Sequence, residues 1–207
     1  KNEATIALSI PLGWSLHDQK RYSEAESVFR EWLEISKESL GEKHERSMIL
    51  GEGLGRSFYL QQEYSEAEAV FREWLEISKE SRGEDNQETI WLGKWLGMSL
   101  YYQEKYSEAE SVSRKWLDIS TRSLGEDSKS TIEISQWLAP AVYQQENYGE
   151  AEQLFLKWYE ISKKTFGEGN ATTTWFEWWL AITSDVLEKP EEAQKYRDMM
   201  PEGELQK

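Results

Sequence analysis

Apolar residues recur three and four apart along the chain, in blocks separated by short polar turns. From Tyr22 to Gly41, the residues Ala25, Val28, Phe29, Trp32, Leu33 and Ile35 follow the spacing of an amphipathic helix, interleaved with Glu24, Glu26, Glu31, Glu34 and Glu38. Gly41 is a natural C-terminal stop for this helix, here designated helix B. Ser23, Ser65 and Ser107 precede successive copies of it, where a side-chain oxygen is expected to cap exposed amides. The Glu that follows each Ser suits the positive end of the helix dipole. A second pattern precedes the first: Ile90 to Glu104 carries Leu92, Leu96 and Leu100 at helical spacing, and Gln103-Glu104-Lys105 makes the polar turn. This is helix A, and an A–B pair makes an antiparallel hairpin.

The hairpin recurs at a fixed interval. Tyr22-Ser23-Glu24-Ala25-Glu26 returns at Tyr64, at Tyr106 and, with Gly149 for Ser, at Tyr148, a period of 42 residues. Trp32, Trp74, Trp116 and Trp158 keep the same step, as do Gly41, Gly83, Gly125 and Gly167. A constant period of this size signifies stacked supersecondary units. The expected fold is all-α: an α-solenoid of helix hairpins with repeats at 6–47, 48–89, 90–131 and 132–173. A partial fifth repeat or C-terminal cap follows at 174–207, the whole forming one continuous domain. Residues 1–5 are expected to close a preceding inter-repeat loop, because Thr5 matches Thr89 and Thr131. The chain is accordingly expected to be a fragment of a longer array or an engineered one.

These residues resemble the tetratricopeptide repeats, in the 42-residue variety seen in kinesin light chains and in sensor arrays of large signalling ATPases. The resemblance spans essentially the whole chain. The family's small helix A residue falls on Gly13, Gly55, Gly97, Ala139 and Ala181, and its early helix B Ala on Ala25, Ala67, Ala109, Ala151 and Ala193. The Leu column Leu12, Leu54, Leu96, Leu138 and Leu180 is also intact. The resemblance implies a right-handed superhelix whose concave face is lined by helix A, and a non-enzymatic role in binding protein or peptide partners, as the sensor part of a larger protein.

The chain departs from the family in two respects. Trp32, Trp74, Trp116 and Trp158 stand where the family usually has Ala, while Ser9, Gly51, Gly93 and Ser135 stand where it often has a large residue. If the two columns face each other, volume is exchanged between them and conserved. Secondly, the Lys, Arg and Asn that grip acidic chaperone tails are replaced by Ile10, Trp14, Gly53, Trp91 and Trp95, and the Asn ladder of kinesin light chains by Pro11, Gly53, Trp95, Trp137 and Trp179. Neither recognition device is carried over.

Comparison of the first two units locates the change. Between Tyr22–Glu42 and Tyr64–Glu84, 19 of 21 residues are identical, but between Ile6–Arg21 and Met48–Glu63 only 5 of 16 are. Diversification is concentrated on helix A. The positions expected to contact a partner are Trp14, His17, Arg56, Tyr59, Trp91, Lys94, Trp95, Met98, Tyr101, Tyr102, Glu133, Gln136, Trp137, Tyr143, Trp175 and Trp178. Trp, Tyr and Arg dominate binding hot spots, and repeat scaffolds present extended faces. Trp95, Trp137 and Trp179 share one column, which can either line that surface or pack between repeats.

Composition narrows the alternatives. With 24 basic and 39 acidic side chains the net charge is -15, which disfavours a phosphate-backbone binder or a polybasic membrane surface. The acid lies mostly on helix B and is expected to face solvent. No run approaches the ~18 to 20 apolar residues of a bilayer helix, so a soluble, cytoplasmic protein is expected. There is no cysteine, and only His17 and His44 offer imidazole chemistry; no metal site, cofactor or catalytic set is expected. His44 reads as a turn residue. Two rival functions remain: a structural or self-assembling array that stacks through uncapped ends, and a saccharide or cation binder using Glu133 or Glu177 beside the indoles. Pro140 is expected to bend its helix near Gln136, and Gly51, Gly53 and Gly55 to loosen theirs.

Overall fold

The computed structural model describes residues 3–200. Among them are ten helices and no strand: α1 (Glu3–Asp18), α2 (Tyr22–Leu40), α3 (Glu45–Leu60), α4 (Tyr64–Arg82), α5 (Gln87–Tyr102), α6 (Tyr106–Leu124), α7 (Lys129–Tyr143), α8 (Tyr148–Phe166), α9 (Ala171–Val186) and α10 (Pro190–Met199). The chain divides into two compact units, Lys1–Lys105 with α1 to α5 and Tyr106–Lys207 with α6 to α10. Within each unit every helix packs on its successor, in the order of the expected hairpins.

The turns account for where the helices begin. Every A–B turn holds one non-glycine residue in the left-handed region: Lys20 (φ 60°), Gln62 (65°), Glu104 (60°), Glu146 (63°) and Glu188 (58°). Helices α2, α4 and α8 start at the Tyr, one residue before the Ser or Gly, and their N-caps Arg21, Glu63 and Asn147 make no side-chain capping bond. The expected capping by Ser23 and Ser65 therefore does not occur, since these residues already lie inside the first turn. Side-chain caps belong instead to the A helices. His44 Nδ1 accepts from the Arg46 amide at 3.2 Å, Asn86 from Glu88 at 3.0 Å, Ser128 from Thr131 at 3.2 Å and Asn170 from Thr172 at 2.9 Å. These caps place the helix A starts three residues ahead of Ile6, Met48, Ile90 and Ile132, so Thr5, Thr89 and Thr131 are first-turn residues and not loop.

At each B–A turn the glycine takes a conformation closed to L side chains, as at Gly41 (φ 91°, ψ 156°). Buried hydroxyl pairs brace these turns: Ser36–Ser47 at 2.8 Å, Ser78–Thr89 at 2.7 Å, Ser120–Thr131 at 2.7 Å and Ser162–Thr173 at 2.9 Å. Ser47, Thr131 and Thr173 also donate to the carbonyls of Gly41, Gly125 and Gly167. The buried polar groups are thus satisfied by one another and by helix-end carbonyls.

The core is an interlock of rings against bare backbone. A Cβ on Gly51 would lie 2.1 Å from the Trp74 ring, so the inferred exchange of volume is realised at this pair. Likewise Gly13 and Gly53 both lie under Phe29, at 2.4 and 2.6 Å from a built Cβ, and Gly55 lies under Phe71 at 2.6 Å. The glycines of α3 therefore do not loosen it: their space is filled by rings, and the helix is uninterrupted. Trp74, Trp116 and Trp158 are buried, and Trp32 is half-buried. Helix α7 continues through Pro140 to Tyr143, with Pro140 buried.

A polar ladder ties each helix B to the end of the next helix A. Gln61 donates to Glu26 at 2.8 Å, Gln145 to Glu110 at 2.6 Å, and Lys189 to Glu152 at 2.7 Å. Glu68 accepts from Arg72 (2.7 Å), Gln103 (2.8 Å) and Lys105 (2.8 Å). Burial alone would raise the Glu68 carboxyl, but the hydrogen bonds from Lys105, Arg72 and Gln103 prevail and hold it at about 2.

Trp74→Ala is expected to cost ~3 to 5 kcal/mol through an unfilled cavity, and Gly51→Ala ~1 to 3 kcal/mol through overpacking. In urea denaturation the double variant should be less destabilised than the sum of the two; strict additivity would show that the residues do not share one space. The lowered Glu68 value implies stability that is present above the unfolded carboxylate range and lost as pH falls from about 4 toward 2. Glu68→Gln should flatten the acid limb of the stability curve and cost about 1 kcal/mol at pH 7.

Candidate functional site

In the first unit the A helices α1, α3 and α5 lie side by side. Arg56, on α3, stands among three indoles: its guanidinium carbon is 4.5 Å from the ring centre of Trp14, 5.3 Å from Trp95 and 5.6 Å from Trp91. Lys94 Nζ lies 5.2 Å from Trp91 and 5.5 Å from Trp95. One turn before Arg56, Glu52 receives its Nη1 at 3.3 Å. Cations over indole faces are attracted by the ring quadrupole, and more strongly when partly desolvated.

Aromatic contacts extend this cluster to both sides. Trp14 meets His17 edge-on at 5.3 Å and Phe29 at 5.1 Å. Tyr59 meets Trp95 at 5.1 Å and Tyr102 at 5.8 Å, Tyr64 stacks on Tyr102 at 5.0 Å, and Tyr101 stands edge-on to Tyr102 at 5.5 Å. Trp91 is 37 % exposed and Tyr102 45 %. Trp14, Arg56, Tyr59, Lys94, Trp95, Met98 and Tyr101 are half-buried, and His17 is buried.

The sequence explains the local arrangement. Trp95 stacks on Phe71 of the preceding helix B at 5.8 Å and 17°, and Trp179 stacks on Phe155 at 5.2 Å and 11°. Trp95 and Trp179 therefore pack between repeats, and Trp179 is buried in that role. In the second repeat the same column holds Gly53, so Phe29 reaches the α3 backbone and Trp14 leans against its ring.

Polar groups in the cluster lack partners. His17 Nε2, Arg56 Nε and Trp95 Nε1 are enclosed and make no hydrogen bond. The Glu52 carboxyl is pushed up by burial, against the opposing pull of Arg56 and Lys94. The His17 imidazole is pushed down by burial and then by the Arg56 charge, with Asp18 opposing. Tyr59 is raised by burial and by Tyr102.

The second unit carries its own set. Trp178 is 40 % exposed and edge-on to Trp179 at 5.1 Å. Trp175 packs on Phe176 at 5.0 Å, and Tyr143 on Trp179 at 5.2 Å. Gln136, Trp137, Tyr143, Trp175 and Glu133 are half-buried, the last 3.7 Å from Lys129. Glu177 is 2 % exposed and occupies the small-residue column of Ser9, Gly51, Gly93 and Ser135, so it does not line an open aromatic surface as the saccharide reading requires. Burial raises its carboxyl.

The expected contact residues thus form two sets, one in each unit. Glu52 belongs to the diversified helix A positions and stands one turn from Arg56; Tyr64, in a copied helix B, was not singled out from sequence and carried no signal. Among the described residues no cluster of His, Cys, Asp and Glu could hold a metal ion, and no helix is long and apolar enough to cross a membrane.

Comparison with known proteins follows the same lines. A tetratricopeptide-repeat family model matches residues 4–80, and a second one matches residues 96–128. No curated protein sequence matches the chain. Among solved structures, the nearly identical TPR-like repeats of a Podosopora anserina protein described as a kinesin light chain superpose with a TM-score of 0.81 at 16% identity, covering 96% of this chain and 94% of that one. BtubC (BKLC) from P. vanneervenii gives 0.79 at 17%, covering 90% and 74%. A Rap protein complexed with Competence and Sporulation Factor gives 0.74 at 12%, covering 96% and 53%. At these identities the likeness is one of fold.

The enclosed His17 supplies a check on the cluster. Its NMR titration midpoint should lie below the ordinary value of about 6.5, and removal of the nearby charge by Arg56→Met should move it upward. Because the unfolded chain binds the proton more readily, stability should fall as pH drops below that value; a midpoint at or above it would contradict the packing.

Proposed function

The chain belongs to the tetratricopeptide-repeat family, and from that premise we propose that it is a protein- or peptide-binding module that contacts its partner through the aromatic faces of its A helices. The observation that carries this reading is Arg56 held among Trp14, Trp91 and Trp95, with Trp91 open to solvent beside it. Rigid indoles around a guanidinium are the composition of binding hot spots. Cations held against indole faces beside an exposed ring are the chemistry of recognition. A Rap protein of the same fold, in a structure described as a complex with Competence and Sporulation Factor, supports the reading by analogy. Trp91 in the first unit and Trp178 in the second are the anchors, because they combine exposure with aromatic backing. Trp95 and Trp137 contribute as half-buried supports.

The bare face of α1 favours a second mode. Leu8 is 73 % and Leu12 52 % exposed, whereas their counterparts Leu50, Leu54, Leu92 and Leu96 are buried. A further helix, from chain ahead of α1 or from end-to-end stacking of a second copy, would cover this face.

Affinity capture followed by mass spectrometry should recover polypeptides with the parent and lose them with a Trp91→Ala/Trp178→Ala variant that keeps its helical circular dichroism. Purified partners should then bind the variant about tenfold more weakly or worse. Equal capture by the two would remove the aromatic faces from the function. A strict monomer in sedimentation at ~100 μM would remove the stacking mode.

A further inference from the structure

The last hairpin lacks the interlock seen in the second. In α3 the stripe Met48, Gly51 and Gly55 turns toward α4: Ser81 meets Met48, Trp74 covers Gly51 and Phe71 covers Gly55. The matching stripe of α9 is Thr174, Glu177 and Ala181, and the residues in register with Trp74 and Phe71 are Met200 and Arg197. Neither is a ring. Arg197 is drawn to Asp185 at the surface, so α10 buries only Ala193 and Tyr196, with Met200 at its end. The helix has 10 residues, where the other B helices have 19.

Polar atoms stand where that packing is missing. Glu177 is 2 % and Thr174 3 % exposed, and Glu177 Oε2 and Thr174 Oγ1 are enclosed without a hydrogen bond, as is Ser184 Oγ two turns on. In the other repeats these two columns hold Ile or Met and Ser or Gly, and Ser9 and Ser135 donate to the carbonyls of Ile6 and Ile132 at 2.7 Å. Toward Glu177, α8 presents Lys163 and Tyr159, and the α8–α9 turn presents Glu168. Glu168 holds the Lys163 ammonium at 2.7 Å, and the Tyr159 hydroxyl donates to Met199 Sδ at 3.7 Å. From α10, Tyr196 turns inward with its ring 6.1 Å from that of Tyr159, while Glu191, Glu192, Lys195 and Asp198 stay exposed. Burial pushes the Glu177 carboxyl up against the pull of Lys163, and Glu168 adds to the rise. An ionised carboxylate enclosed without a donor is costly, and water is its remedy.

We propose that α10 is a releasable cap governed by Glu177, packed on α9 while that carboxyl is neutral and opening readily once it is ionised. Release frees one face of α9, the helix that carries Trp178. The proposal does not depend on the polypeptide-binding reading. Its pH sense follows from the carboxyl: the packed state is favoured below the ordinary glutamate value and loses that contribution as pH rises through the higher value of the closed hairpin. Both histidines, His17 and His44, lie in the first unit, so imidazole titration is remote in sequence from this hairpin.

Amide hydrogen exchange of the full chain, corrected for the intrinsic rate at each pH, tests the cap. Relative to α8, protection of the α10 amides should rise about threefold or more from pH 7.5 to pH 5. Glu177→Gln should abolish that response and hold α10 near its pH 5 protection at both values. Glu177→Ser, which restores the residue that this column holds in two other repeats, should raise α10 protection about tenfold at pH 7.5. Circular dichroism checks that both variants keep their helices. Parent α10 protection that is equal at the two pH values, or a response retained in Glu177→Gln, would overturn the cap, as would α10 protection unchanged or lowered by Glu177→Ser.

Discussion

The packing of the first unit depends on aromatic rings of the B helices resting on backbone that has no side chain. Phe29 is held over both Gly13 and Gly53, Phe71 over Gly55, and Trp74 over Gly51. Because interiors pack at crystal-like density, a ring that reaches backbone fixes both the distance between helices and their register. A slip by one residue would drive the ring into a Cβ. This constraint accounts for α2 and α4 being nearly identical while α1 and α3 are not: the B side supplies the knob, and only a few A positions must remain hollow. Residues on the outer side of helix A carry none of that duty, and they are the ones that have changed.

The same interlock produces the candidate site. Where later repeats set Trp95 or Trp179 flat against a helix B phenylalanine, the second repeat leaves Gly53, and its ring is met by Trp14 from the neighbouring A helix. Arg56, which holds in the second repeat the register position of Trp14 in the first, then stands against Trp14 and the two indoles of α5. Enclosing Arg56 Nε and Trp95 Nε1 without acceptors is unfavourable for the free protein. Such a cost is commonly found where a fold keeps groups ready for a partner, since a core optimised only for stability would place aliphatic side chains there.

The hairpin order and the period were legible because each follows from spacing alone, whereas the facing of Trp74 and Gly51 came from the resemblance, against which a large and a small residue are exchanged. Helix starts were not, for a physical reason. The residue that turns the chain into helix B is Lys20, Gln62, Glu104, Glu146 or Glu188 in a left-handed conformation, and none of these residue types announces it. The serines therefore looked like caps while lying one residue inside. Whether Trp95 and Trp179 pack or project could not be read either, because their column borders the core and the outcome depends on Phe71 and Phe155 in another helix. Glu177 differs: its column holds Ser9, Gly51, Gly93 and Ser135, all small, and so its burial was implicit in the repeat. Grouping of the site residues into two sets has no sequence signal, since the repeat period runs on unbroken.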